Sequence, residues 1–356
     1  MFIRALVAVA ALGLAPALAW AEAATPAKPA PDPVLEAMKP CESGGDPAAR
    51  AVACTQLITG GTLKGKSLGA AYVFRGKAQA QRNEIKAAIL DFSEALKIDP
   101  LATDALYNRG AAYALMGQND YALADFANLL DLAPKDPDTL YYRAQIYMTQ
   151  GKREAALSDL STVLAGHPED VDSRMQRAGL SIMLGRNEDA IADLTQLLKK
   201  DSTAPAVLYN RGRAEQLKGD YGAAAEDFAA AMQNRNQNPY AALRLYIARA
   251  RTGKTDPAPL AATDKAFPPD QWPLPIVAFY RGEMSEADLI ASAKVSDPKT
   301  TANLQAETRY YLGQWALLQD DRKTAQKQFA AAMATKASAD NLEFIDAGLE
   351  LKRLGK

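Results

Sequence analysis

Histidine is almost missing from this chain. His167 is the only one, and it precedes Pro168 in a stretch that reads as a turn, so a histidine-dependent triad or a multi-histidine metal site has no material. The two cysteines, Cys41 and Cys54, match neither the C-x-x-C spacing of thiol oxidoreductases nor a zinc-ligand pattern. Neither sign of charge dominates: 41 basic and 42 acidic side chains leave a net charge of −1, which is not the balance of a nucleic-acid binder. Aromatics make up only 7% of the chain while alanine is abundant, a composition for closely packed helices rather than a β-sandwich. No constellation of nucleophile, base and orienter is recognisable, so the sequence predicts no enzyme, no metal site and no cofactor.

What is present starts with an export signal. Residues 1–21 carry Arg4, an apolar run from Ala5 to Leu14 and the sequence Ala19-Trp20-Ala21, which suits cleavage after Ala21. The run is shorter than the roughly 20 residues that span a bilayer. No cysteine stands at the cleavage site, so neither a membrane span nor a lipid anchor is expected after cleavage, and the location predicted is periplasmic or secreted. Residues 22–40, with five prolines from Pro26 to Pro40, read as an extended linker. Residues 41–66 read as a helix capped by Asp46, with Pro47 in its first position. In an oxidising compartment Cys41 and Cys54, with 12 residues between them, are expected to form a disulfide.

Most of the rest of the 356-residue chain is organised by a period of 34. Small residues recur at Gly76, Gly110, Ala144, Ala178 and Gly212, alanines at Ala88, Ala122, Ala156, Ala190 and Ala224, and large apolar residues at Phe92, Phe126, Leu160, Leu194 and Phe228. Within each unit a helical pattern breaks at one residue, Gly117 in the second unit, and resumes, so each unit is a helical hairpin. Gly110, Tyr113, Ala122, Phe126 and Pro134 resemble the tetratricopeptide repeat. That resemblance implies an all-α fold: a tetratricopeptide-repeat α-solenoid, a right-handed superhelix of five units over 69–238. Ser202 and Asn236 replace the closing proline and Arg174 stands at an otherwise apolar position, so those units are expected to be looser. Residues 239–300 read as divergent helices. Residues 301–356 read as a returning hairpin, with Gly313 and Phe329, followed by a capping helix from Asn341.

Counting each unit from Gly69, Thr103, Pro137, Val171 and Pro205, position 7 is always Arg and position 23 always Asp. These positions face each other across the hairpin, and five ion pairs follow, from Arg75–Asp91 to Arg211–Asp227. First helices of such hairpins line the concave side. Position 5 there gives Tyr107, Tyr141, Met175 and Tyr209, and position 6 adds Asn108 and Asn210. An aromatic and amide groove of this kind suits other proteins or extended peptides as partners.

A second resemblance covers about 85 residues of the C-terminal part and is carried by Trp272-Pro273-Leu274-Pro275, Phe279-Tyr280-Arg281-Gly282 and Glu307-Thr308-Arg309-Tyr310-Tyr311-Leu312-Gly313. This part is similar to the NlpI family of bacterial envelope proteins. The resemblance implies an adaptor, often a homodimer, that brings peptidoglycan hydrolases and a processing protease together. The function predicted is therefore a non-catalytic periplasmic scaffold that binds proteins through its groove. The alternative is an accessory factor binding peptidoglycan or polysaccharide, since carbohydrate grooves also use tyrosines and amides.

Overall fold

The computed structural model describes residues 33–43, 45–233, 238–265, 268 and 270–355. The expected signal segment, and the linker up to residue 32, lie outside them. The linker is shorter than the sequence predicts. Helix α1 (Pro33–Ser43) starts at a proline, whose missing N–H costs nothing in a first turn, and runs through Pro40. Helix α2 (Pro47–Thr59) follows, with Asp46 accepting from the Ala49 N–H at 3.0 Å. The disulfide between Cys41 and Cys54 joins these two helices, and both cysteines are buried.

Five hairpins come next: α3 (Gly65–Gln81) with α4 (Ile85–Ile98), α5 (Thr103–Leu115) with α6 (Asn119–Leu132), α7 (Pro137–Thr149) with α8 (Arg153–Gly166), α9 (Val171–Met183) with α10 (Asn187–Leu198), and α11 (Pro205–Lys218) with α12 (Tyr221–Ala231). Each turn pivots on one left-handed residue, glycine from Gly117 onward and Asn83 (φ 63°) in the first unit, asparagine being the side chain that tolerates that region best. First helices touch their successors, α3 against α5, α5 against α7, α9 against α11 and α11 against α13 (Pro239–Arg251), so they form the inner side of the curve.

Inside a hairpin the helices meet where position 8 faces position 24. A Cβ on Gly110 would stand 2.6 Å from the Phe126 ring, and one on Gly76 2.6 Å from Phe92. Where position 8 is alanine, in Ala144 and Ala178, the facing residue is the smaller Leu160 or Leu194. The pair fills one volume in two ways. All five Arg–Asp pairs also form, each with two bonds of 2.7–2.8 Å from Nε and Nη2 to the two carboxylate oxygens. The aspartates are buried and the arginines half-buried. Arg174 does not loosen the fourth unit: its Nη1 donates to Asp193 Oδ1 at 3.0 Å, beside Arg177.

A further bond, absent from the sequence reading, ties unit to unit. Arg109 Nη1 donates to Ser93 in the preceding unit, Arg177 to Ser161, Arg211 to Thr195, and Arg75 to Thr55 of α2, at 3.2–3.5 Å. Arg143 meets Ala127 at that position and has no such hydroxyl.

After α13 the pattern ends as the sequence predicts. The proline-rich segment forms only the short α14 (Ala258–Ala261), then α15 (Leu274–Tyr280) and α16 (Glu286–Ser292). Their apolar residues pack with α13 and with the returning hairpin, α17 (Pro298–Leu318) and α18 (Arg322–Met333), in one core that includes Leu243, Ile247, Leu260, Ile276, Tyr280, Leu289 and Tyr311. The last helix, α19 (Leu342–Leu354), covers α18 as a cap should, but it also turns back over the inner side of the array. The reason is its buried face: Glu343 and Asp346 need cations that Arg213 of α11 and Arg244 of α13 supply, while Glu350 pairs with Arg353 of α19 itself.

Two outcomes test this packing. Gly110→Ala should destabilise by about 1–3 kcal/mol through overpacking, partly offset by helix propensity, and adding Phe126→Leu should recover part of that loss, as read from melting of the single and double variants. A double-mutant cycle on Arg143→Ala and Asp159→Ala should give a coupling of about 1.5–3 kcal/mol, because the bonds are charged and the aspartate is buried.

Candidate partner-binding groove

The inner side of the array divides into an open part and a closed part. Over the last units it is roofed by α19. Arg213 of α11 is 1% exposed and Arg244 of α13 is fully buried, and both bind Asp346: Arg213 Nη2 to Oδ1 at 2.6 Å and Arg244 Nη2 to Oδ2 at 2.8 Å. Arg244 also donates to Glu343 at 3.0 Å, to the Tyr310 hydroxyl at 3.2 Å and to the Tyr209 hydroxyl at 3.0 Å. Beside this cluster, Glu307 accepts from Trp272 Nε1 at 2.6 Å, from the Tyr240 hydroxyl at 2.9 Å and from Asn341 at 3.0 Å. Burial works against the charge on Asp346, but Arg213 and Arg244 outweigh it and hold the carboxyl below the ordinary range. For Glu307 burial dominates, aided by Glu343, and its pKa is raised.

Tyr209 therefore does not line an open groove. It stacks on Phe228 with ring centroids 5.7 Å apart, and its hydroxyl is taken by Arg244. Met175 is half-buried against the core of the fourth and fifth units. Asn108 and Asn210 turn their amide N–H groups onto their own helices, at the carbonyls of Asp104 (2.6 Å) and Ala206 (2.9 Å).

Tyr107 and Tyr141 stand in the open part, half-buried, and each is buttressed by the residue 35 positions further on. Tyr142 packs edge-on against Tyr107 at 5.8 Å, and Gln176 donates to the Tyr141 hydroxyl at 2.6 Å while accepting from Gln145. Arg244 does the same for Tyr209. At these three junctions position 6 of one unit locks position 5 of the unit before. Neither Tyr142 nor Gln176 was among the candidate residues read from the sequence, although both occupy the position-6 row already singled out there. Tyr142 is 41% exposed, the most open aromatic on this face. The open part ends at a cleft of about 390 Å³ between α7, α9 and the segment before α19, lined by Met148, Leu180, Met183 and Ala339. Arg153 fixes that segment by donating to the Ala339 carbonyl at 3.0 Å.

The cluster under α19 predicts an acid response. A carboxyl whose folded pKa is depressed contributes stability above its unfolded value of about 3.9 and loses it as pH falls below. Asp346→Asn should therefore cost about 3–5 kcal/mol at pH 7, where it strands two buried arginines, and less near pH 3, where the unfolded parent takes up a proton that its folded carboxyl resists. Denaturant unfolding followed by circular dichroism at the two pH values measures both.

Residues 76–117 match the family model described as TPR repeat, and residues 141–190 and 182–239 match the model described as Tetratricopeptide repeat. Among solved structures, the chain is similar to YrrB, described as a TPR protein with an unusual peptide-binding site, at 20% identity over 54% of this chain and 96% of that one, with a TM-score of 0.49. It is also similar to a tetratricopeptide repeat protein from Parabacteroides merdae, at 16% identity over 91% of this chain and 99% of that one (TM-score 0.46), and to MamA from Desulfovibrio magneticus, at 20% identity over 48% and 96% (TM-score 0.44). The residues matched by these repeat models fall on the 34-residue hairpins, which stack as an α-solenoid.

Proposed function

We propose that this protein is an exported, non-catalytic scaffold that holds an extended segment of a partner protein across the first helices α3, α5, α7 and α9. The observation that carries this reading is the contrast between the two parts of the inner face. Over α11 and α13 the face is filled by the chain's own helix, whereas Tyr107, Tyr141 and Tyr142 over α5 and α7 keep part of their rings accessible. Hydroxyls and amides already locked between units present these rings in one geometry, which lowers the entropy cost of binding. Export rests on the sequence of residues 1–21 and agrees with a Cys41–Cys54 bridge, a bond that persists in oxidising compartments. The likeness of the Trp272–Gly313 stretch to the NlpI family supports an adaptor role in the bacterial envelope.

In-cell crosslinking from a photoreactive residue at Tyr142, set against one at the outward Leu90, tests the surface. Capture of the same protein from Tyr142 and not from Leu90 supports it; labelling of cell-wall sacculi instead would favour the glycan-binding alternative. Replacing Tyr107 and Tyr141 with alanine should weaken capture by roughly ten-fold or more, aromatic anchors contributing about 2 kcal/mol each. Tyr209→Ala should instead lower the melting temperature, because it removes a partner of the buried Arg244.

A further inference from the structure

At the first junction of the array the chain supplies its own cation to the inner face. Lys77, at position 9 of the first unit, places Nζ 2.9 Å from Asp104, at position 2 of the second. The 34-residue period repeats the carboxylate but not the lysine. Asp138 and Asp172 occupy position 2 of the third and fourth units and are exposed, while position 9 of the units before them is Ala111 and Gln145. Among the described residues no basic side chain pairs with either aspartate. In the fifth unit, where α19 begins to cover the face, position 2 is Ala206 and the carboxylate disappears.

Each unpaired carboxylate also has an aromatic neighbour. Asp138 lies one helical turn before Tyr142, whose ring packs on that of Tyr107 at 5.8 Å, and Asp172 one turn before Gln176, which donates to the Tyr141 hydroxyl at 2.6 Å; burial first, then neighbours that include these carboxylates, raise both phenols. A half-exposed tyrosine ring beside an unpaired carboxylate seats a cation twice over, through the ring face and through the ion pair. Two such seats lie on adjacent first helices. Neighbouring helix axes are about 8–10 Å apart, and an extended polyproline II strand rises about 3.1 Å per residue with three residues per turn, so one strand crossing the helices turns side chains three residues apart toward both seats.

We propose that the open part of the groove takes an extended protein segment with two basic side chains in a Lys/Arg-x-x-Lys/Arg spacing, one on Tyr107 and Asp138 and one on Tyr141 and Asp172. This rests on the groove reading above and names the chemistry of its occupant.

The test uses the whole exported chain and two short synthetic peptides of the same length, one carrying Lys-x-x-Lys among small neutral residues and the other Glu-x-x-Glu at the same places, with binding read by fluorescence anisotropy. The lysine peptide should bind roughly ten-fold tighter or more, and the preference should shrink as salt is raised. Asp138→Asn with Asp172→Asn should remove most of the preference. Ala111→Lys, which gives Asp138 the in-chain partner that Asp104 has, should weaken the lysine peptide several-fold.

First-turn aspartates also stabilise their own helices, so melting is followed for every variant. A lowered melting temperature with the preference intact overturns the proposal. Equal binding of the two peptides, weakened alike by Tyr141→Ala, overturns it while leaving the groove in place. If neither peptide binds and Tyr142 captures no protein, the groove reading falls and this one with it.

Discussion

A carboxylate taken out of water keeps its charge when a cation goes with it, and much of this architecture follows from that constraint. Five buried aspartates, one per hairpin, are each held by an arginine of the facing helix, which fixes how the two helices of a unit lie. A sixth, Asp346, is paired by no cation of its own helix or of the hairpin before it. It finds Arg213 and Arg244 on the inner side of the array, and in doing so it sets the place where α19 lies. Where the inner face carries aspartates that no arginine or lysine among the described residues meets, those aspartates stay in water. The division of the groove into a filled part and an open part is thus an electrostatic result.

The period, the hairpins, the five Arg–Asp pairs, the disulfide and the ends of the C-terminal helices were legible because each depends on residues at fixed, short separations. Periodicity alone even orders the partners, since positions summing to a constant must face each other. The course of α19 was not legible. It depends on Arg213 and Arg244, which break the repeat's own preferences at positions 9 and 6, meeting acidic residues more than a hundred positions later. Nothing in a local pattern links them. The closed state of Tyr209 follows from the same long-range contact, so a residue in phase with Tyr107 and Tyr141 has different surroundings. Pro33 misled for a simpler reason: a run of prolines suggests an extended chain, yet one proline at a helix start is favourable.

The units also show how a repeat tolerates variation without losing its geometry. Glycine with phenylalanine and alanine with leucine are two fillings of the same contact, and both keep the helices at a distance the Arg–Asp pair can bridge. Similarly, the residue that locks each tyrosine changes from Tyr142 to Gln176 to Arg244 while the direction of the contact, from one unit back to the last, is constant. What varies between units is the chemistry shown to the groove.

Contacts in a repeat array are mostly local, so its units can form one after another as the chain emerges. The contact of Arg213 with Asp346 spans 133 positions and sets a different order here. Until α19 is available, the inner face of α11 and α13 presents two arginines without the carboxylates that neutralise them, Arg244 meeting the Tyr209 hydroxyl alone on that face. The first four units can reach their final form early, while the last two wait. For part of its folding, then, the molecule is a finished clamp with an unfinished base, and any factor that protects it in that interval has a strongly cationic patch to recognise.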